Sequence, residues 1–170
     1  MESQIEILLR SDHVELDALL TDVSVALDSG GSDRVYNALD LFWARLAMHI
    51  RAEHVRLFPA IAAAVGQRAE FAEVPGLIDD LRHDHDFFMR ELARSIKILR
   101  SSEKDSLTKV RDVLDRVRER LVEHDQIEEE KIYKLAAAGL VSPKTITALH
   151  RSIQMELSNL PPRFTTRTEA

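Results

Sequence analysis

Cysteine is absent from this 170-residue sequence, which removes disulfide frameworks, thiolate zinc sites, iron-sulfur ligation and cysteine nucleophiles at once. Any metal must therefore be held by nitrogen and oxygen. Positive charge is outnumbered, with 23 lysines and arginines against 29 aspartates and glutamates and a formal net charge of -6, whereas a phosphate backbone is bound by clustered lysine and arginine. Nucleic acid and anionic membrane are not expected partners. No stretch approaches the roughly 20 apolar residues of a membrane span, and no basic start precedes an apolar run of signal type, so a soluble, cytoplasmic protein is expected. What the chain does have is 45% hydrophobic residues. That suffices for one domain burying about 70% of the surface of its unfolded form, with room for an internal polar site.

Glycine and proline number only five each, and between them apolar residues recur at alternating gaps of three and four, the stripe of an amphipathic helix. Four long helices are predicted. The first runs from about Glu2 to Leu27 with Ile5, Leu9, Leu16, Leu20, Val23 and Leu27 inward, and "DSGGSD" ends it. The second, about Arg34 to Val65, turns in Leu39, Phe42, Leu46 and Leu57; Pro59 should kink it or split off its last turns, because proline lacks a backbone donor. The third, about Gly76 to Leu99, buries Leu81, Phe88, Leu92, Ile96 and Leu99. The fourth, about Ser106 to Ala138, buries Val110, Leu114, Val117, Leu121, Ile132 and Leu135.

Connections this short make neighbouring helices antiparallel, so the expected fold is all-α, an antiparallel up-down-up-down four-helix bundle over residues 1–140. Beyond it, Ser142 as a cap, Pro143 at the first helical position and a Pro-Pro stop mark a short accessory helix within 141–160, packed on or beside the bundle. Residues 161–170 are expected to be a flexible tail.

Each apolar stripe passes through residues foreign to a core. The run 9, 13, 16, 20 includes His13, and 42, 46, 49, 53, 57 includes His49 and Glu53. The run 81, 85, 88, 92 includes His85, and 117, 121, 124, 128, 132 includes His124 and Glu128. Residues i and i+4 share a helix face, so each helix points one histidine inward, and the second and fourth add a glutamate one turn on. The second half of the chain repeats the first. "SDHVEL" around His13 answers "HDHDFF" around His85 after 72 residues, and "HIRAE" at 49 answers "HDQIE" at 124 after 75. With a rise of about 1.5 Å per residue, all four imidazoles lie at one depth in the bundle.

A single buried histidine is usually just hydrogen-bonded, and His-x-x-x-Glu alone is often an exposed pair. Four imidazoles and two carboxylates at one level, however, are too costly to leave unpaired. They point to a metal site, with two ions side by side.

The pattern H…HxxxE…H…HxxxE, spread over about residues 8 to 138, resembles the hemerythrin-like, or HHE cation-binding, family. "HIRAEHVRLFPAI" is like that family's second-helix signature, in which an aromatic-proline pair follows the histidine and glutamate. The resemblance implies an antiparallel four-helix bundle holding two non-haem iron ions with an oxo or hydroxo bridge. His13, His49, His85 and His124 would be iron ligands, and Glu53 and Glu128 the bridging carboxylates. The oxygen-carrying members have a further histidine one turn after the third-helix ligand, where this chain has Met89, and place the last carboxylate one residue later, here Glu129.

On a regular helix Glu129 lies about 100° round from Glu128 and needs a local distortion to reach inward, so Glu128 is preferred. His83 is expected in solvent, His54 behind the site or exposed, Asp17 at the edge of the exposed face and His150 on the surface. Tyr36, Trp43 and Tyr133 are too far along or off phase to assign.

Four imidazoles, two bridging carboxylates and an oxygen bridge leave open positions on a pair of octahedral ions, and two histidines per ion with shared carboxylates approach the donor set of oxygen-reactive iron. The leading expectation is a hemerythrin-like di-iron protein that binds or processes dioxygen, nitric oxide or hydrogen peroxide, with room for a reductase partner and either a monomeric or a homodimeric state. Loss of the fifth histidine disfavours pure reversible carriage; catalytic turnover is left open. A sensing or oxygen-binding module without turnover is the alternative, with the stripe Ile146, Leu149, Ile153 and Leu157 as its one candidate transmitter. Iron donation for iron-sulfur cluster repair is a further alternative, lowered because such family members carry an additional cysteine-bearing amino-terminal segment.

Overall fold

The computed structural model describes residues 3–101, 104–137, 140 and 142–165, and among them every regular element is helical. Helix α1 (Gln4–Ser29) begins where the Ser3 hydroxyl accepts the Glu6 backbone N–H at 3.1 Å, and stops at Gly30, whose φ of 77° lies in the left-handed region that a Cβ disfavours. Helix α2 (Ser32–Ala52) runs into a π turn, Glu53–Leu57, and on into α3 (Phe58–Val65). A short 3-10 turn, Ala69–Phe71, leads to α4 (Val74–Arg100). Helix α5 (Ser106–Ile127) repeats the earlier plan, with a π turn at Glu128–Ile132 before α6 (Tyr133–Ala137). Then come α7 (Pro143–Leu157), capped by the Ser142 hydroxyl on the Thr145 N–H, and the single turn α8 (Pro162–Thr165).

Two predicted features differ. Pro59 does not itself break the second helix: it sits in the first turn of α3, where a missing N–H is tolerated, and the change of helical pattern comes just before it, at the π turn. The predicted tail starts with α8, where Arg163 pairs with Asp40 at 3.0 Å. The predicted helix ends at Glu2 and Ala138, and residues 166–170 of the tail, lie outside the described residues.

The long helices pack as a helical bundle with two apolar clusters. One gathers Leu16, Leu20, Leu39, Phe42, Leu46, Phe88, Val117 and their neighbours; the other gathers Ile5, Leu9, Leu57, Phe58, Leu81, Ile132 and Tyr133, with Leu149, Ile153 and Leu157 of α7. Each fully buried leucine or phenylalanine contributes about 1.5–3 kcal/mol. Leu99 and Leu135, predicted inward, are only partly buried. Helix α7 lies against α1, α2 and the first π turn. No helix among the described residues is long and apolar enough to cross a membrane.

Candidate metal centre

A single polar layer separates the two apolar clusters. It is made of His13 from α1, His49 from α2, Glu53 and Glu128 from the starts of the two π turns, His85 from α4 and His124 from α5, none more than 6% exposed. These are the six residues that the periodicity placed inward, and the fold brings them together.

Each imidazole is held from behind through Nδ1. His49 Nδ1 donates to Asp12 Oδ2 at 2.9 Å, His124 Nδ1 to Asp84 Oδ2 at 3.3 Å and His13 Nδ1 to Glu129 Oε1 at 2.9 Å. His85 Nδ1 and His54 Nε2 lie 2.8 Å apart and share one hydrogen. When the rings are neutral and carry their hydrogen on Nδ1, each Nε2 lone pair faces inward. These lone pairs meet head on: His13 and His49 Nε2 are 3.2 Å apart, and His85 and His124 Nε2 3.0 Å. The glutamates reach both histidine pairs. Glu53 has one oxygen 3.5 Å from His49 and the other 3.3 Å from His85; Glu128 has one 3.4 Å from His13 and the other 3.2 Å from His124.

Acceptors crowded against acceptors in a buried layer are costly. Two buried carboxylate oxygens, Glu53 Oε2 and Glu128 Oε1, accept no hydrogen bond at all. Cations relieve both conditions, and the donors form two groups that could hold them: Glu53, His85, His124 and Glu128, and His13, His49 and Glu128. The donor set, imidazole nitrogen with carboxylate oxygen, suits first-row transition metals.

The electrostatics agree. Burial alone would lower the pKa of His49, but the Glu53 charge and the Asp12 hydrogen bond hold it well above its ordinary value. His124, equally penalised by burial, is raised to about 10 by Glu128 and by its hydrogen bond to Asp84. Burial would raise the Glu53 carboxyl, yet the charge of His49, with that of His85, keeps it well below the ordinary carboxylate range. The layer draws positive charge, and a proton is the smallest cation it can take.

The sequence reading missed several residues. Asp12 and Asp84, behind His49 and His124, are themselves gripped by Arg45 Nη2 at 2.7 Å and Arg120 Nε at 2.6 Å. Their signal was an Asp-His doublet that recurs after 72 residues, at 12–13 and 84–85. Tyr133, read as off phase, is fully buried, with its Oη 2.7 Å from Glu53 Oε1, 3.0 Å from Glu128 Oε2 and 3.0 Å from His13 Nε2. A π turn takes up an extra residue, so the position five after Glu128 returns to the inner face. Burial, then the charges of Glu128 and Glu53, push this phenol well above its ordinary pKa. Asp125 Oδ1 stands 3.9 Å from His13 Nε2 at the edge of the layer, its carboxyl raised to about 6 by burial.

Glu129 stays on the outer side of the layer despite the π turn, and half-buried His54 takes the equivalent place behind His85. His83 and Asp17 are exposed. Met89 accepts the Trp43 indole N–H at 3.3 Å.

Among families of known proteins, residues 5–137 match the hemerythrin HHE cation binding domain. No curated protein and no solved structure matches the chain.

Proposed function

Because the chain belongs to the hemerythrin HHE cation-binding family, whose domain spans most of it, we propose that it is a non-haem di-iron protein. It binds or processes a small oxidant: dioxygen, nitric oxide or hydrogen peroxide. The observation that carries the reading is the buried layer in which four inward lone pairs and two carboxylates converge while two of the carboxylate oxygens accept no hydrogen bond. In this reading His13 and His49 would hold one ion, His85 and His124 the other, and Glu53 and Glu128 would supply carboxylate oxygens to both, within four long helices that run up-down-up-down.

When bound, the iron pair supplies electrons and Lewis acidity toward a diatomic or a peroxide. The chain supplies everything else. Asp12 and Asp84 fix ring orientation and raise the basicity of His49 and His124. Leu46, Phe88 and Leu121, all buried beside the layer, keep bulk water out, with the Phe88 ring edge-on to His124 at 5.2 Å. Asp125, half-buried, can carry a proton at Oδ1 between solvent and the His13 side.

The test is iron content and the spectrum of air-oxidised protein, followed by addition of hydrogen peroxide. Two irons per chain with near-ultraviolet charge-transfer bands support the reading, and oxygen release favours peroxide turnover over carriage. No iron after growth in iron-rich medium overturns it.

One observation favours a second reading, a sensor without turnover. Arg45 donates both to Asp12, behind His49, and to the Leu157 carbonyl at the end of α7, at 2.7 and 3.1 Å. A change at His49 therefore has a polar path to the accessory helix. Metal-dependent change in α7 amide exchange, with no peroxide or nitric oxide consumption, supports this second reading over the first.

A further inference from the structure

The two sides of the polar layer differ in one donor. Resting on the di-iron reading, we propose that the phenolic oxygen of Tyr133 is a fifth donor to the ion beside His13 and His49, so that a small exogenous ligand binds the other ion, beside His85 and His124.

Neighbouring donors on an octahedral ion with bonds of about 2.1 Å stand about 3 Å apart. Tyr133 Oη lies at 2.7, 3.0 and 3.0 Å from Glu53 Oε1, Glu128 Oε2 and His13 Nε2. Around the same point His13 Nε2 is 3.2 Å from His49 Nε2 and 3.4 Å from Glu128 Oε2, and His49 Nε2 is 3.5 Å from Glu53 Oε1. Tyr133 Oη, Glu53 Oε1, His49 Nε2, His13 Nε2 and Glu128 Oε2 thus stand in a run of contacts of 2.7 to 3.5 Å, close to the spacing of neighbouring ligands.

Hydrogen counting leads to the same place. A phenol has one hydrogen, and Tyr133 faces two carboxylate oxygens that can only accept, so at most one of those two contacts is a good hydrogen bond. A cation among these atoms satisfies all of them; the phenol proton then leaves to solvent, as ligand protons do on metal binding.

The opposite side has no such oxygen. His85, His124, Glu53 Oε2 and Glu128 Oε1 supply four donors at 3.0 to 3.7 Å. The residue equivalent to Tyr133 by the 75-residue repeat is Phe58, which stacks on His85 at 6.1 Å and offers no donor. Both carboxylate oxygens without a hydrogen bond lie on this side, whereas the other two share the single hydrogen of Tyr133. Spare capacity and the missing donor coincide at His85 and His124.

The experiment compares iron-loaded, air-oxidised wild type with Tyr133→Phe and Phe58→Tyr by iron content, visible absorption and resonance Raman, with azide as the probe ligand. Wild type should show a phenolate-to-ferric band with enhanced tyrosine ring modes. Only one other tyrosine exists in the chain, and Tyr36 has its hydroxyl occupied by Arg100 at 2.7 Å. Tyr133→Phe should lose the band while retaining iron; Phe58→Tyr should gain a second phenolate signal and lose most of its azide binding. Iron-loaded wild type without the band, or a band that survives Tyr133→Phe, makes Tyr133 a hydrogen-bond donor only and overturns the inference. Should Tyr133→Phe fail to fold, the wild-type Raman spectrum decides. Absence of iron from wild type instead overturns the di-iron reading itself.

Discussion

The first helical hairpin carries Ile50, Glu53, His54 and Phe58 where the second, 75 residues on, carries Asp125, Glu128, Glu129 and Tyr133. The skeleton is repeated faithfully: two π turns that begin at the glutamate, and two chains of arginine, aspartate and histidine, Arg45–Asp12–His49 and Arg120–Asp84–His124. The decorations are not repeated. Every additional oxygen donor, from Asp125, Glu129 and Tyr133, gathers around His13, while His85 has Phe58 in front and a second imidazole behind. Repetition therefore fixes where the inward histidines and glutamates stand, and departures from repetition make the two sides of the layer chemically unlike. In the di-iron reading, the carboxylates crowded on the His13 side would favour the more positive ion there.

The strongest blow to both halves is loss of a shared carboxylate. Glu53→Ala or Glu128→Ala should abolish most iron binding, read as iron per chain by elemental analysis, whereas His150→Ala should leave it intact; similar iron in all three would refute the shared-bridge assignment.

Acidity acts next most strongly, and with opposite sign on the metal-free and loaded forms. His124 is raised from an ordinary 6.5 to about 10 in the folded state. Its stabilisation of metal-free protein is fully present below pH 6.5 and is lost as pH rises toward 10. Metal must displace those same protons, so over this window affinity should climb by up to about tenfold per pH unit for each proton released. Urea midpoints of metal-free protein that rise between pH 6.5 and 10 would contradict the sign.

Smaller and, by the repeat, equal effects are expected from Asp12→Asn and Asp84→Asn, each weakening metal by about 10–100-fold. Competition against a chelator measures this, and a large inequality would show that the repeated skeleton is unequal in function. The smallest effects separate the halves. Glu129→Gln should raise the reduction potential of the centre and cost no more than about tenfold in affinity, and His54→Gln should do less, since one neutral acceptor replaces another. Equal shifts from the two would erase the distinction between the positions.

Much of this was legible in the sequence because helices convert spacing into direction. His13, His49, Glu53, His85, His124 and Glu128 fall on the apolar stripes, and a period of 3.6 suffices to find them. Tyr133 escaped because a π turn changes the period for a few residues, and nothing in "EEEKI" signals it. Asp12 and Asp84 escaped for another reason: each precedes an inward histidine, a quarter turn or so off the stripe, and reaches the histidine of a neighbouring helix, a contact that periodicity within one helix cannot encode. Pro59 suggested a break in the second helix, but the preceding π turn accommodates it.

The polar layer lies across the middle of the bundle, with one apolar cluster on each side and α1, α2, α4 and α5 with its continuation running through both. Metal at that level acts as a rivet: pulling either cluster apart breaks the same set of bonds, so the loaded protein should melt in a single cooperative step. Stripped of metal and held at a pH where the imidazoles have lost their protons, the layer becomes a seam of mutually repelling lone pairs. The two clusters then become separate cooperative units that share only backbone, and heating should part them in two stages, the end clamped by α7 outlasting the other.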